Sequence, residues 1–178
     1  QEANSPDDWN LFSAHLSGSN PQPLSKLNSP KSECCLVINH KGKAYFSSNR
    51  DGSWDIFQAD YNLEKGIFEN IFKVTALNTP EDEWPSYIGS DNDLIIFSSI
   101  RKFGLGGDDV YFSISSNGQW QRPEIFSDKI NTASYEDSGM LSPDMKHFYF
   151  SSRKPDQNGN QNSNIYWIKT SKTIGYCR

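Results

Sequence analysis

The chain has 178 residues and a formal net charge of −5, with 35% hydrophobic and 13% aromatic residues. This length is enough for one domain with its own hydrophobic core. The acidic balance and the absence of a basic stripe argue against nucleic-acid binding, which depends on clustered Lys and Arg. No apolar run approaches the ~20 residues that a spanning helix needs, so we expect no membrane span.

One short motif occurs three times in the chain. Phe46–Arg50 (FSSNR) returns at Phe97–Arg101 (FSSIR) and at Phe150–Arg153 (FSSR). The spacings are 51 and 53 residues. Self-similarity at a fixed period indicates a repeat architecture, in which each unit packs against its neighbours. We therefore read the chain as a series of similar units.

The N-terminal region predicts a partial unit. Residues 1–8 are polar and are predicted to be disordered. Trp9–Leu16 and Pro23–Leu27 are predicted to be short strands on either side of a turn at Ser17–Pro21. The partial unit therefore covers residues 9–27 and begins a repeat domain that runs over residues 9–178.

The first full unit covers about residues 33–77. A hairpin turn at Asn39–Gly42 joins its first two predicted strands. The four predicted strands are Cys34–Ile38, Lys43–Ser48, Trp54–Asp60 and Ile67–Thr75.

Two further units follow, at about residues 83–127 and 136–169. A long loop is predicted at Asp156–Asn164. The sequence leaves open whether the short segment Thr170–Arg178 supplies a fourth strand to the third unit. The second unit has predicted strands at Trp84–Ile88, Leu94–Ser99, Asp109–Ser115 and Gln119–Phe126. The third unit has predicted strands at Ser138–Leu141, His147–Ser152 and Asn164–Lys169.

Two other elements recur in step with the Phe-Ser-Ser motif. Glu33, Glu83 and Glu136 each follow an Asn by five residues and precede the motif's Phe by 13 or 14 residues. After the motif come Asp55–Phe57 (DIF), Asp109–Tyr111 (DVY) and Asn164–Tyr166 (NIY). Four antiparallel strands in about 50 residues are typical of a β-propeller blade. A pair of β-sandwiches is the alternative, which the repetition disfavours.

These elements resemble a known family. Ser142–Lys146 (SPDMK), followed by the Phe-Ser-Ser and Asn-Ile-Tyr elements, is similar to the WD-like repeat of TolB-type β-propellers, and Gly106–Tyr111 (GGDDVY) is similar to the bacterial exported version. The resemblance covers residues 9–169. It implies an all-β propeller of four-stranded antiparallel blades, about three and a half of them in this chain.

The resemblance also implies a location and a role. Members are mostly periplasmic, secreted or outer-membrane-associated, and they act as non-catalytic binding or scaffolding modules. We therefore expect a periplasmic or secreted protein with a protein or envelope-glycan partner and no cofactor. The chain starts at Gln1 without Met, and we expect that a secretory peptide or a tag was removed.

The size departs from the family, whose propellers are commonly six-bladed. Three units and a partial unit are too few for an ordinary closed ring. Either two copies complete one ring as a homo-oligomer, or the chain is part of a longer propeller.

An alternative function is a carbohydrate-active hydrolase or lyase with an acidic site in the funnel. Its acids would be sought among those that do not repeat, which are Asp137, Glu124 and Glu81.

The recurring charged residues are the first candidate site. A guanidinium group suits a carboxylate or phosphate ligand, so three Arg around a channel could bind an anion. A charge pair that recurs once per unit more often serves the repeat, and we favour structural pairs between blades. The residues are Arg50, Arg101, Arg153, Glu33, Glu83 and Glu136.

Other residue types give weaker signals. The three His residues lack metal-ligand spacing, and we expect no catalytic or metal residues. Acidic turns such as Asp91–Asp93 could bind calcium, but turn chemistry is favoured. Four Trp residues are interpreted mainly as core packing between blades, with stacking on a sugar or peptide as the alternative. These are Trp54, Trp84, Trp120 and Trp167.

The three cysteines leave two possibilities open. Neighbours on a strand point to opposite faces, so a disulfide between Cys34 and Cys35 would be strained. We favour two small buried apolar side chains. A bond from either residue to Cys177 is the alternative.

Overall fold

The computed structural model describes residues 8–155, 158–159 and 161–170. The described residues form β-strands and no helix, and every strand pair is antiparallel. No helix in the described part of the chain could cross a membrane. The predicted all-β class is therefore confirmed. Disorder is predicted for residues 1–8, of which only Asp8 is among the described residues. Cys177 also lies outside the described residues.

The N-terminal pair consists of β1 (Phe12–Ser13) and β2 (Gln22–Pro23). Both strands are shorter than predicted. Leu11 still takes the backbone role of a strand, because its N–H donates to Asn28 Oδ1 over 2.8 Å and its carbonyl accepts from Asn28 Nδ2 over 2.9 Å. The side-chain amide of Asn28 therefore replaces a neighbouring strand at this point.

The first sheet has four strands in chain order, as predicted for a full unit. Consecutive strands pair as neighbours, with Phe46 opposite Phe57 in the middle of the sheet. The strands are β3 (Glu33–Ile38), β4 (Lys43–Ser48), β5 (Asp55–Asn62) and β6 (Ile67–Lys73).

The second sheet begins in the same way but ends differently. Its predicted fourth strand, Gln119–Phe126, is wrong as one element, because two short strands pair at different places with the third strand, Asp109–Ser116. Pro123 lies between them and has no N–H to donate, which interrupts the ladder. The strands are β7 (Glu83–Ile88), β8 (Leu94–Ser99), β9 (Asp109–Ser116), β10 (Gln119–Trp120) and β11 (Glu124–Ile125).

The third sheet has three described strands. They are β12 (Tyr135–Leu141), β13 (His147–Pro155) and β14 (Gln161–Lys169). The last two pair as far as Pro155 opposite Gln161. The loop predicted over Asp156–Asn164 is therefore wrong for its second half, which belongs to β14.

Hydrophobic clusters lie between neighbouring sheets. The cluster between the first and second sheets includes Tyr45, Ile56 and Phe97, and the cluster between the second and third sheets includes Val110 and Phe148. A third cluster joins the N-terminal pair to the first sheet. Each sheet thus buries apolar side chains on both faces wherever it has a neighbour.

One face of the third sheet has no neighbour among the residues that the structure describes. Ile56, Val110 and Ile165 occupy the same place in the three sheets, since each is the second residue of its Asp-Ile-Phe-like element. Ile56 and Val110 are 0% exposed, whereas Ile165 is 80% exposed. Trp167 is exposed on the same face. This face, defined by Ile165 and Trp167, is the open face.

An Asn residue holds the segment that leaves each unit. Asn131 is fully buried and accepts from Val110 N over 2.7 Å, while its amide donates to Val110 O and Phe126 O. Asn78 makes the same contacts with Ile56. The Asn that recurs in the sequence thus accepts from a strand N–H and adds a second donor to the carbonyl of the same residue, which also accepts from a backbone N–H.

Candidate functional site

A buried Glu begins the innermost strand of each sheet. Glu33, Glu83 and Glu136 are all buried at the first or second residue of β3, β7 and β12. Each carboxylate accepts from the backbone N–H and the hydroxyl of a Ser or Thr four residues earlier. Each also accepts from a Ser hydroxyl of the Phe-Ser-Ser motif on the next strand. We call this arrangement the carboxylate node.

Arg50 and Arg101 complete the node in the first two sheets. Arg101 Nε lies 3.1 Å from Glu83 Oε1, and its Nη2 donates to the carbonyl of Leu77. Arg50 Nη2 contacts Glu33 Oε1 over 3.2 Å and the carbonyl of Leu27. Each Arg therefore joins two strands of one sheet to the segment that enters that sheet. The predicted role as pairs between blades stays a prediction.

Aromatic rings cover both guanidinium groups. Arg101 Cζ lies 4.8 Å from the ring centroid of Phe97 and 5.2 Å from that of Tyr111. Arg50 makes the same contacts with Phe46 and Phe57. The rings stabilise the cation and leave it little room to bind a ligand.

Arg153 does not take the same position. Its side chain is 51% exposed, and its Nη2 lies 3.9 Å from Asp137 Oδ2. Arg153 follows Phe150 by three residues, whereas Arg50 follows Phe46 by four. Adjacent residues of a strand point to opposite faces, so the shorter spacing turns Arg153 away from the node. The sequence therefore contained the signal that separates Arg153 from the other two.

Arg153 lies instead in a cleft where the innermost strands β3, β7 and β12 approach one another. The cleft has a volume of about 460 Å³. Three Trp rings, two carboxylates, one guanidinium and two thiols are among its lining groups. The lining residues are Trp9, Cys34, Cys35, Trp54, Trp84, Pro85, Ser86, Ser98, Asp108, Asp137, Ser138 and Arg153.

Three of these residues occupy one equivalent position. Trp9, Trp54 and Asp108 each precede an Asn or Asp that begins the Asp-Ile-Phe-like element. Their carbonyl oxygens accept from the backbone N–H of the next unit's node Glu, over 2.8, 2.7 and 2.7 Å. The backbone contact is the same in all three, while the side chain that it places in the cleft differs.

A second equivalent position follows the node Glu. It holds Cys34 in β3, Trp84 in β7 and Asp137 in β12. All three side chains line the cleft. Since the Glu points into the node, its neighbour on the strand points to the other side. The cleft is thus built from positions next to the repeated motif residues.

The cleft carries negative charge. Burial and the nearby charge of Asp137 raise the pKa of Asp108, and Arg153 partly opposes this rise. Asp137 has Arg153 as its ion-pair partner. Two carboxylates and one guanidinium therefore face a surface that is otherwise mostly aromatic. Such a surface suits a ligand with an apolar body and a positive charge.

Trp54 and Trp84 both line the cleft, where the Trp9 and Trp54 ring centroids are 6.1 Å apart. Their interpretation mainly as core packing between blades stays a prediction. Trp120 packs against the core and makes an edge contact with Tyr45 at 5.8 Å. Trp167 is 56% exposed on the open face. The signal for the two cleft residues was their place beside Asp55 and Glu83.

The two cysteines also differ from the expectation. Cys35 is exposed, so the interpretation of both residues as buried is wrong. Cys35 has a φ of 60°, and the pairing with β4 shifts register between Cys34 and Val37. This irregularity brings both thiols to one side, with the sulfur atoms 2.7 Å apart.

The other acidic candidates lie elsewhere. Glu81 faces Lys102 at 3.8 Å, and Glu124 lines a second cavity of about 630 Å³ beside Phe112 and Ile168. In the predicted calcium turns, Asp91 Oδ1 accepts from Lys41 Nζ over 2.5 Å. No group of three or more His, Cys, Asp or Glu in the described residues is arranged to hold a metal ion. The expectation of no cofactor, with calcium as the less favoured alternative, stays a prediction.

The structure is similar to that of TolB from Acinetobacter baumannii, with a TM-score of 0.54 and 19% sequence identity. The similarity covers 88% of this chain and 34% of that chain, so this chain spans about a third of the TolB length. No family model matches the chain, and no curated protein matches it. The likeness concerns the fold alone, and the chain has a TolB-like β-sheet fold.

Proposed function

We propose that the chain is a non-catalytic binding module, part of a β-propeller, whose cleft binds an exposed Lys or Arg side chain of a partner protein. The observation that carries this proposal is the chemistry of the cleft. Trp9, Trp54 and Trp84 offer aromatic surface, and Asp108 and Asp137 offer carboxylates. A cation on an apolar stem matches both features, because the stem packs on the rings and the charge meets the carboxylates.

The contrast between cleft and node supports a binding role. The node Glu carboxylates are buried and occupied by internal donors. The cleft carboxylates have fewer internal partners among the described residues, and only burial and neighbouring charges act on Asp108. A positive ligand would lower the free energy of the paired carboxylates that now repel each other.

The open face supports a longer ring. Ile165 stands where the other two sheets bury Ile56 and Val110 against a neighbour. At the other end of the chain, Phe12 is exposed, although its equivalents Phe57 and Tyr111 are buried. We propose that further sheets cover both ends, either from a second copy or from a longer chain. The periplasm or the secreted fraction is the proposed location, on the resemblance of the repeated motifs.

A binding experiment tests the cleft directly. A short peptide of Gly and Arg is titrated into the protein, and the indole N–H signals are followed by NMR. A matched peptide with Gln in place of Arg is the control ligand. We expect the Arg peptide to shift the Trp54 and Trp84 signals and the Gln peptide to leave them in place. Equal shifts with both peptides would contradict the proposal.

Variants locate the site. Trp84→Ala should weaken binding of the Arg peptide at least about tenfold, as for a buried aromatic anchor. Trp167→Ala removes an exposed Trp outside the cleft and should leave the affinity unchanged. Asp137→Asn should weaken binding and reduce its salt dependence. Unchanged binding in both cleft variants would overturn the assignment.

A second candidate function follows from the same two carboxylates. Asp108 has a raised pKa and Asp137 is paired with Arg153. A carboxyl group with a raised pKa beside a second carboxyl group is one feature of glycoside hydrolase sites. Incubation with soluble polysaccharides and detection of new reducing ends would test it. Release of reducing ends that disappears in Asp108→Asn would favour the hydrolase over the binding module.

A further inference from the structure

Two adjacent thiols at the cleft form a chemically distinct pair. Cys34 and Cys35 are consecutive in β3, and their sulfur atoms are 2.7 Å apart. The left-handed φ of 60° at Cys35 breaks the alternation of the strand. A regular strand would point the two side chains to opposite faces. The backbone therefore holds the sulfurs together.

The thiols are accessible. Cys35 is exposed and Cys34 is partly buried, and both line the cleft. The equivalent pairs in the other sheets are Trp84-Pro85 and Asp137-Ser138, so the first sheet alone places thiols here. Ser138 has a similar φ of 56°. The irregular backbone thus belongs to more than one sheet, while the thiol chemistry is particular to β3.

We propose that Cys34 and Cys35 form a thiol–disulfide exchange site, which a low-molecular-weight disulfide oxidises to a Cys34–Cys35 disulfide. This modification does not depend on the ligand that the cleft binds. It requires only that the two sulfurs meet and that a small disulfide reaches one of them.

Cys35 is the attacking residue. The hydrogen bond from the Cys34 thiol lowers the pKa of Cys35, and that bond together with burial raises the pKa of Cys34. Burial and the charge of Asp137 oppose this lowering of the Cys35 pKa. The thiolate is the nucleophile in thiol–disulfide exchange, so the exposed sulfur with the lowered pKa reacts first.

The exchange proceeds in two steps. Cys35 thiolate attacks one sulfur of the small disulfide, forms a mixed disulfide and releases one small thiolate. Cys34 then loses its proton and attacks the Cys35 sulfur, forming the Cys34–Cys35 bond and releasing the second small thiolate. The protein loses two electrons and two protons, and the small disulfide is reduced to two thiols.

The product is easily reduced again. Consecutive Cα atoms across a trans peptide are ~3.8 Å apart. Ordinary disulfides join Cα atoms at about 4.4–6.8 Å, and bonds outside this range are strained and more reducible. The pair therefore acts as a reversible site rather than a permanent staple.

The test uses the full chain with Cys177→Ser, so that the pair is the only source of thiols. The protein is incubated with glutathione disulfide and analysed by intact mass and by alkylation of remaining thiols. We expect a product that has lost two hydrogen atoms, carries no glutathione and has no alkylatable thiol. Low concentrations of dithiothreitol should restore both thiols.

Single variants separate the two roles. Cys34→Ser should trap one glutathione on Cys35, since no second thiol completes the exchange. Cys35→Ser should react about tenfold more slowly, because the remaining thiol is less exposed and its burial still raises its pKa. Circular dichroism establishes that each variant is folded. Disulfide-linked dimers, stable glutathione adducts with both cysteines present, or equal rates in the two variants would overturn the proposal.

Discussion

The second and third sheets share the carboxylate node but differ in what surrounds it. Glu83 and Glu136 are equally buried and accept from the same Thr and Ser positions. Arg101 completes the node of the second sheet, whereas Arg153 of the third sheet points to the cleft. The faces of the two sheets also differ. Val110 of the second sheet is buried against the third sheet, whereas the equivalent Ile165 of the third sheet is exposed. The node thus maintains the fold, and the departures from it are the places where we propose that the chain meets other molecules.

The largest expected difference concerns the two faces. Val110→Asp buries a charge without a partner and should destabilise the protein by at least about 4 kcal/mol. Ile165→Asp places the same charge on the open face and should cost less than about 1 kcal/mol. Urea unfolding measures both. If a second copy covers the open face, Ile165→Asp will also lower the mass in light scattering, and a strict monomer excludes the two-copy ring.

The second-largest expected difference is between the stability losses caused by removing the node carboxylates of Glu83 and Glu136. Glu83→Ala leaves the partly buried Arg101 without its carboxylate and should destabilise by about 3–5 kcal/mol. Glu136→Ala removes hydrogen bonds to neutral donors and should cost about 1–3 kcal/mol. Chemical denaturation of the purified variants provides the comparison. Glu81→Ala is the surface control, with an expected loss below about 1 kcal/mol. Equal losses at Glu83 and Glu136 would show that the Arg adds nothing to the node.

Loss of the Arg side chain should also destabilise the second sheet more than the third. Arg101 contacts Glu83, a backbone carbonyl and two rings, so Arg101→Ala should cost about 2–4 kcal/mol. Arg153→Ala removes a long, exposed ion pair and should change stability by less than about 1 kcal/mol. Thermal unfolding distinguishes them. A large loss in Arg153→Ala would mean that the third sheet uses its Arg structurally.

The smallest effect is the pH dependence of Asp108. Burial and Asp137 raise its pKa in the folded state. The folded protein therefore holds this proton more tightly, and the associated stability is lost as the pH rises through the raised pKa. Asp108→Asn should gain stability relative to the natural chain over that window and show no gain at lower pH. Unfolding at a series of pH values measures the difference. Because Arg153 opposes the rise, Arg153→Ala should move the window upward.

Part of the node could be predicted from the sequence because buried polar groups need fixed partners. Glu83 and Thr79 recur at a constant spacing of 4 residues, and Asn131 recurs in step with them. The Ser hydroxyl of the node follows the Glu by 15 or 16 residues. Residue type and spacing therefore singled out the Glu and Asn positions, but they predicted pairs of Glu with Arg between blades and not the hydrogen bonds from Thr and Ser. Whether the sheets belong to a closed ring, and how many sheets such a ring has, could not be predicted in this way, since both depend on surfaces at the two ends of the chain.

The cleft could not be predicted because its residues do not repeat. Cys34, Trp84 and Asp137 share a position but no chemistry. Alternation along a strand predicts that they face away from the node. It does not say whether that side meets another sheet or solvent. The positive φ at Cys35 has no Gly or Asn to signal it, and the contact between the two thiols stayed hidden for that reason.

The hydrogen bonds from each node Glu N–H to the carbonyl of Trp9, Trp54 or Asp108 have an evolutionary consequence. They involve only main-chain atoms, so they persist whichever side chain is present. A Trp and an Asp already occupy this position within one molecule. Substitution there can therefore alter recognition at little cost in stability, and related chains can diversify their ligands while the sheets remain in register.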